Sequence, residues 1–113
     1  MIPLRGWGVP FLAACFLIAL GTRGHAETGI ASHYHEGKWT ANGERFKPDG
    51  MTCAHRRYLF GSILRVTLRE RAVECRVNDR GPWIKGRIID LSRGSARALG
   101  LHGIARVTVE HIR

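Results

Sequence analysis

The stretch Cys75–Ser92, CRVNDRGPWIKGRIIDLS, places two aspartates, Asp79 and Asp90, eleven positions apart between runs of strand-forming residues. The first run alternates apolar and polar side chains. The second, RIIDL, is short and rich in β-branched residues, and NDRGP between them is built of turn formers. Each acid has two readings. Asp79 serves a tight turn after a strand and Asp90 bonds backbone N–H groups ahead of a helix. Alternatively, the two work chemically. Cleaving a glycosidic bond needs a proton donor for the leaving oxygen, and a carboxyl stays protonated near neutral pH when burial or a second carboxylate raises its pKa.

Outward from this stretch the pattern stays mostly β. SILRVTL (Ser62–Leu68) sets Leu64, Val66 and Leu68 opposite Ile63, Arg65 and Thr67. AVECRVN (Ala72–Asn78) puts Val73, Cys75 and Val77 on one side, and the charged RER between these runs suits a hairpin. GIASHY (Gly29–Tyr34) and IARVTVEHI (Ile104–Ile112) add strands. One helix is expected over RGSARAL, capped by Ser92 and ended by Gly100 in the left-handed conformation, with Gly94 weakening it slightly.

The 113 residues suffice for one domain, and 44% hydrophobic content fits a folded chain. Residues 1–26 differ from the rest. Arg5, the apolar run Val9–Leu20 and the small, polar GTRGHA follow the order of a secretory signal cleaved after Ala26, too short to span a bilayer. LAAC (Leu12–Cys15) offers a second route, a lipid on Cys15. Removing 1–26 takes away Arg5 and Arg23 and no acid, so the formal net charge falls from +9 to +7 over residues 27–113. Such a domain seeks anionic polymers, and an exported one meets those of the wall and membrane before nucleic acid; the bland alternative is solubility charge. Cys53 and Cys75 remain. An even count in an oxidising compartment points to one disulfide closing a loop of about 22 residues, worth ~3 kcal/mol; the alternative is two buried free thiols.

Four more residues carry chemistry. Glu44, in TANGERF, follows an Asn-Gly turn as an exposed acid. His55, in TCAH, is either a hydrogen-bonded half-buried histidine or a site residue. His33 and His35, two apart, share a strand face, but nothing completes a tetrahedral metal set. No Gly-x-Ser-x-Gly elbow or phosphate-binding glycine loop occurs.

GIASHYHEGKWTANGERF, MTCAHR, LFGSILRVT, CRVNDRGPW, GRIIDLSRGSARALGL and GIARVTVE, in this order, together resemble the rare lipoprotein A family of bacteria over nearly all of residues 27–113. The resemblance implies a six-stranded double-psi β-barrel with one short helix. It also implies an exported lytic transglycosylase that cuts the MurNAc–GlcNAc β-1,4 bond of stem-peptide-poor peptidoglycan strands and leaves 1,6-anhydro ends. No cofactor or metal is implied. The partner is the glycan strand, not nucleic acid; the membrane is touched only through the signal segment or a lipid on Cys15; and the protein is a monomer in the periplasm or outside the cell.

Matched by motif, Glu44, His55 and Asp79 correspond to the family's active-site residues. Asp90 becomes a rival proton donor by analogy with family 45 endoglucanases, expansins and membrane-bound lytic transglycosylase A. Tyr34, Thr40, Asn42, Asn78 and Arg80 in the same motifs are the implied sugar contacts. The chain departs from the pattern at His33, where an aromatic is usual, at His35, where Gly is common, and at Cys53 and Cys75. The paired cysteine change supports a bridge between the His55 segment and the strand leading to Asp79. Two competing functions remain: a glycan-binding, wall-loosening protein without turnover, and a hydrolase with carboxylates ~5 Å apart if retaining or ~6.5–9.5 Å if inverting.

Overall fold

A computed structural model describes residues 25–113. The signal segment expected over 1–26 and the alternative lipid site at Cys15 lie, except for His25 and Ala26, outside the described residues. Six strands, β1 (Ala26–Tyr34), β2 (Thr52–Ala54), β3 (Ile63–Leu68), β4 (Arg71–Asp79), β5 (Arg87–Ser92) and β6 (Ala105–His111), close into a barrel in the order β1-β5-β2-β4-β3-β6. The pairs β1/β5 and β2/β4 are parallel and the others antiparallel. This is the six-stranded barrel that the resemblance implies, and closure leaves no sheet edge exposed.

Strand alternation fills the interior. Leu64 and Val66 of β3, Cys75 and Val77 of β4, Ile89 and Leu91 of β5, and Val107 and Val109 of β6 meet in one core. Leu68 and Val73, at the far end of the β3–β4 hairpin, pack against its side. Arg69 sits in the hairpin turn with φ 54°, the left-handed geometry that such a tight connection requires. β1 starts earlier than the sequence pattern indicates. Ala26 already pairs with Glu110, because the long β6 supplies a partner for the polar AET segment.

The single helix, α1 (Arg93–Leu99), follows β5 without a break. Ser92 accepts from the Ser95 amide at its start, and Gly100 closes it at φ 80°. Ala96 and Leu99 turn into the core. Gly94 has a positive role that helix propensity hides. Its amide bonds the Pro48 carbonyl at 2.9 Å, and a Cβ there would collide with the backbone of Asp49. The glycine lets α1 dock on the turn ahead of β2.

β2 is only three residues long, fully buried, and absent from the alternation pattern. It is defined by its neighbours: β4 on one side, β5 on the other. Cys53 in β2 is joined to Cys75 in β4 by a disulfide, with Cα atoms 5.8 Å apart and both residues in the core. The free-thiol alternative is thereby set aside.

Candidate active site

Three strands bring the two aspartates onto one wall. Ala54 of β2 is in register with Asp79 of β4 on one side and with Asp90 of β5 on the other. Ser32 of β1 extends the row beyond Asp90. The aspartate Cα atoms are therefore two strand spacings apart, roughly 10 Å. The β2/β4 ladder slips here: Cys53 pairs with Val77, but Ala54 pairs with Asp79. This bulge leaves Asn78 without an opposite residue and re-aims the strand end. As a result consecutive side chains, Asn78 and Asp79, both reach the Thr40–Glu44 turn: Asn78 donates to Glu44 Oε1 at 3.1 Å, and Asp79 Oδ1 accepts from the Ala41 amide at 3.0 Å.

The two carboxyls sit in different surroundings. Asp79 accepts three hydrogen bonds, from the amides of Ala41 and Arg80 (2.9 Å) and from the Tyr34 hydroxyl (3.2 Å). Asp90 accepts one side-chain bond, from the Ser32 hydroxyl at 3.1 Å. Burial pushes the Asp90 pKa up, and the charge of Asp79 adds to the rise; Ser32, His33 and Arg87 pull the other way without cancelling it. Of the two, Tyr34 bonds to Asp79 alone. Burial and then Asp79 raise its phenol, so it stays a donor to Asp79. One carboxyl thus has its pKa raised by burial, while the second is held by three donors.

Glu44 is differently employed. Its carboxylate forms a two-pronged pair with Arg76 at 2.7 and 2.9 Å. Arg76 and then Asn78 bring its pKa down to about 2, so it is an anion and not a proton donor. Thr40 and Asn42 hold the turn itself: the Thr40 hydroxyl donates to Asn42 Oδ1 at 2.6 Å, which also accepts from the Glu44 amide. His55 is buried, with 2% of its surface exposed. Its Nε2–H donates to Glu27 at 2.6 Å, and its Nδ1 accepts from the amides of Arg57 and Tyr58. Those bonds fix the tautomer and occupy both nitrogens. The contact of His55 with the site runs through its backbone amide, which donates to the Asp79 carbonyl at 3.2 Å. Arg80 donates to the carbonyls of His55 and Tyr58 and lies over the Phe60 ring.

Of the sequence-derived set, then, Tyr34 meets Asp79 directly, and Asp90 stands across Ala54 from it. Glu44, Asn78, Thr40 and Asn42 form the turn that braces Asp79. His55 and Arg80 tie down the segment after β2. Arg76, Ser32, Glu27 and Arg87 were missed. Arg76 was findable, since it alternates with Cys75 and Val77 and must face outward. The other three depend on which strands become neighbours. β1 ends at Tyr34, so His35 lies just beyond the strand. Both histidines line a cavity beside α1 with Arg71, Arg97 and His102.

The family described as "Lytic transglycolase" matches residues 26–110. A probable endolytic peptidoglycan transglycosylase RlpA of Nostoc is 50% identical over 91 residues, covering 73% of this chain and 24% of that protein. The endolytic peptidoglycan transglycosylase RlpA of Pasteurella multocida is 47% identical over 97 residues, covering 80% and 33%. The chain thus spans about a quarter to a third of the length of these curated relatives. Among solved structures, the Streptomyces papain inhibitor superposes with a TM-score of 0.67 at 20% identity, covering 81% of this chain and 98% of the inhibitor, a likeness of fold alone. The Clavibacter michiganensis expansin superposes with a TM-score of 0.64 at 25% identity, covering 79% and 51%.

Proposed function

The chain belongs to the lytic transglycolase family, and from that premise we propose that it is an exported endolytic peptidoglycan transglycosylase, cutting MurNAc–GlcNAc β-1,4 bonds of stem-poor strands. The observation that carries this reading is the row Asp90–Ala54–Asp79, with Asp90 half-buried and its pKa pushed above the ordinary aspartate value. Asp90 gives its proton to the glycosidic oxygen as the C1–O bond breaks. The C6 hydroxyl of the same MurNAc closes onto C1, and its proton passes to the Asp90 carboxylate. The bond count balances without water: one C–O bond breaks, one forms, and Asp90 ends protonated, as it began.

Asp79 raises the affinity of Asp90 for its proton and, held by Tyr34 and two amides, keeps its own place. Glu44 and His55 act as positioning residues, through the turn and through the backbone. Asp79 and Asp90 are half-buried about the buried Ala54, and internal cleavage requires that the strand reach them from the side. A net charge of +7 over residues 27–113 draws the domain to an acidic glycan. We assign residues 1–26 to the export signal, or Cys15 to a lipid anchor, and the working form to a monomer.

The test is mass spectrometry of stem-free strands after incubation with the protein. Anhydro ends in the wild type and their loss in Asp90→Asn support the proposal. Reducing ends would make the protein a hydrolase. Intact strands retained on the protein would make it a wall-loosening binder, the reading that its likeness to expansin favours.

A further inference from the structure

A second cavity, about 500 Å³, opens on the outer face of β2 and β4, on the Glu44 side of the turn whose Ala41 amide holds Asp79. That volume is in the range of small-molecule sites. Its wall includes Thr52 and Asn78. These two residues supply the buried side-chain atoms without a hydrogen-bond partner among the described residues, Thr52 Oγ1 and Asn78 Oδ1. Buried polar atoms normally find partners, so two orphans at one cavity mark a place where donors are missing. Both oxygens are buried, so a ligand reaches them only as their side chains turn toward the cavity.

The rest of the lining narrows the ligand. Arg45 and Lys47 stand at the rim with no carboxylate within ion-pair distance among the described residues, whereas Arg76 is occupied by Glu44. The Glu44 carboxylate repels an anion on its own side, so a ligand acid goes to the Arg45–Lys47 rim. Met51, 42% exposed, offers an apolar contact to a methyl group. The Thr40–Glu44 turn is bonded both to Asp79, through the Ala41 amide, and to Asn78, through Glu44, so the cavity and the aspartate row share one turn.

We infer that this cavity is a saccharide subsite for an N-acetylated, carboxylate-bearing sugar of the strand being cut, the N-acetylmuramic acid residue with its lactyl carboxylate free. Hydroxyl or amide groups of the sugar donate to Thr52 and Asn78, its acetyl methyl covers Met51, and its carboxylate meets Arg45 and Lys47. This assignment rests on the reading of the site given above.

The experiment is steady-state kinetics on stem-free strands, native and carboxyl-reduced, with wild type, the double variant Arg45→Gln/Lys47→Gln, and Thr52→Val. The subsite requires the double variant to raise KM about tenfold on native strands, with kcat within twofold. Carboxyl reduction raises the wild-type KM by a similar factor and leaves the double variant unmoved. Thr52→Val raises KM without lowering the melting temperature, since the hydroxyl it removes has no partner. Wild-type KM in both variants, or an equal effect of carboxyl reduction on both proteins, overturns the subsite while leaving the lytic function intact. If the wild type releases no anhydro ends, calorimetric titration with a stem-free tetrasaccharide decides: binding that the double variant weakens tenfold keeps the subsite without the lytic reading, and no binding removes both.

Discussion

Asp79 at the end of β4 and Asp90 in the middle of β5 both stand opposite Ala54, the last residue of the three-residue strand between them. That shared neighbour sets Asp90 one strand away from the Asp79 charge, which adds to the rise that burial gives the Asp90 pKa.

The first prediction concerns the alkaline limb of the activity profile. Asp90 acts as an acid, so activity falls as pH rises through its raised pKa. The Ser32 hydroxyl lowers that pKa, so Ser32→Ala moves the limb to higher pH. Arg87→Gln removes a lowering charge and moves it the same way. The pH profile of kcat/KM on stem-free strands checks both directions. Asp90→Asn removes the donor and costs about 10²–10⁴-fold in kcat.

Glu44 supplies a stability signature of opposite sign. Its folded pKa, about 2, lies below the ordinary 4.5, so its pairing with Arg76 stabilises the fold fully above about pH 4.5 and is lost as pH falls through 2. Glu44→Gln therefore lowers the melting temperature at pH 7, and the gap to wild type closes between pH 4.5 and 2. Because the turn bracing Asp79 loosens, kcat/KM drops severalfold, far less than in Asp90→Asn.

His55→Ala is a stability mutant. It opens a buried space and strands the amides of Arg57 and Tyr58, at a cost of about 2–4 kcal/mol. Burial holds the His55 pKa down, against the pull of Glu27. The unfolded chain therefore binds the proton more tightly, and wild-type stability declines as pH drops below the ordinary histidine value of 6.5. Chemical denaturation at pH 8 and pH 5.5 checks this: the decline is present in wild type and weaker in the variant.

Reduction of Cys53–Cys75 releases a loop spanning 22 positions. It lowers stability by ~3 kcal/mol, a melting shift of about 12–24 °C for a domain of this size. The bridge fixes β2 against β4, one residue before Ala54 and four before Asp79. The reduced protein, assayed below its melting point, therefore also loses activity.

Much of this architecture is legible in the sequence. β3, β4 and α1 follow from alternation, the charged RER link, and Ser92 and Gly100 as caps, all local signals. β2 was not legible, because a fully buried three-residue strand has no alternation to show and exists only through its partners on either side. The acids themselves were visible in NDRGP and RIIDLS, but their roles were not. Asp79 and Asp90 are told apart by Tyr34, Ser32 and the Ala41 amide, which arrive from β1 and the loop after it. His55 is the hydrogen-bonded histidine that the sequence offers as one of two readings, but its partner, Glu27, lies 28 positions away and is not legible there.

The most direct measurement is an NMR titration of the Asp90 side-chain carboxyl in the wild type and in Asp79→Asn. A proton donor held as described titrates above the usual aspartate range in the wild type, and lower in Asp79→Asn, where the neighbouring charge is gone. An Asp90 that titrates at or below the ordinary aspartate value, unmoved by the Asp79 substitution, would contradict its assignment as the acid that cleaves the strand.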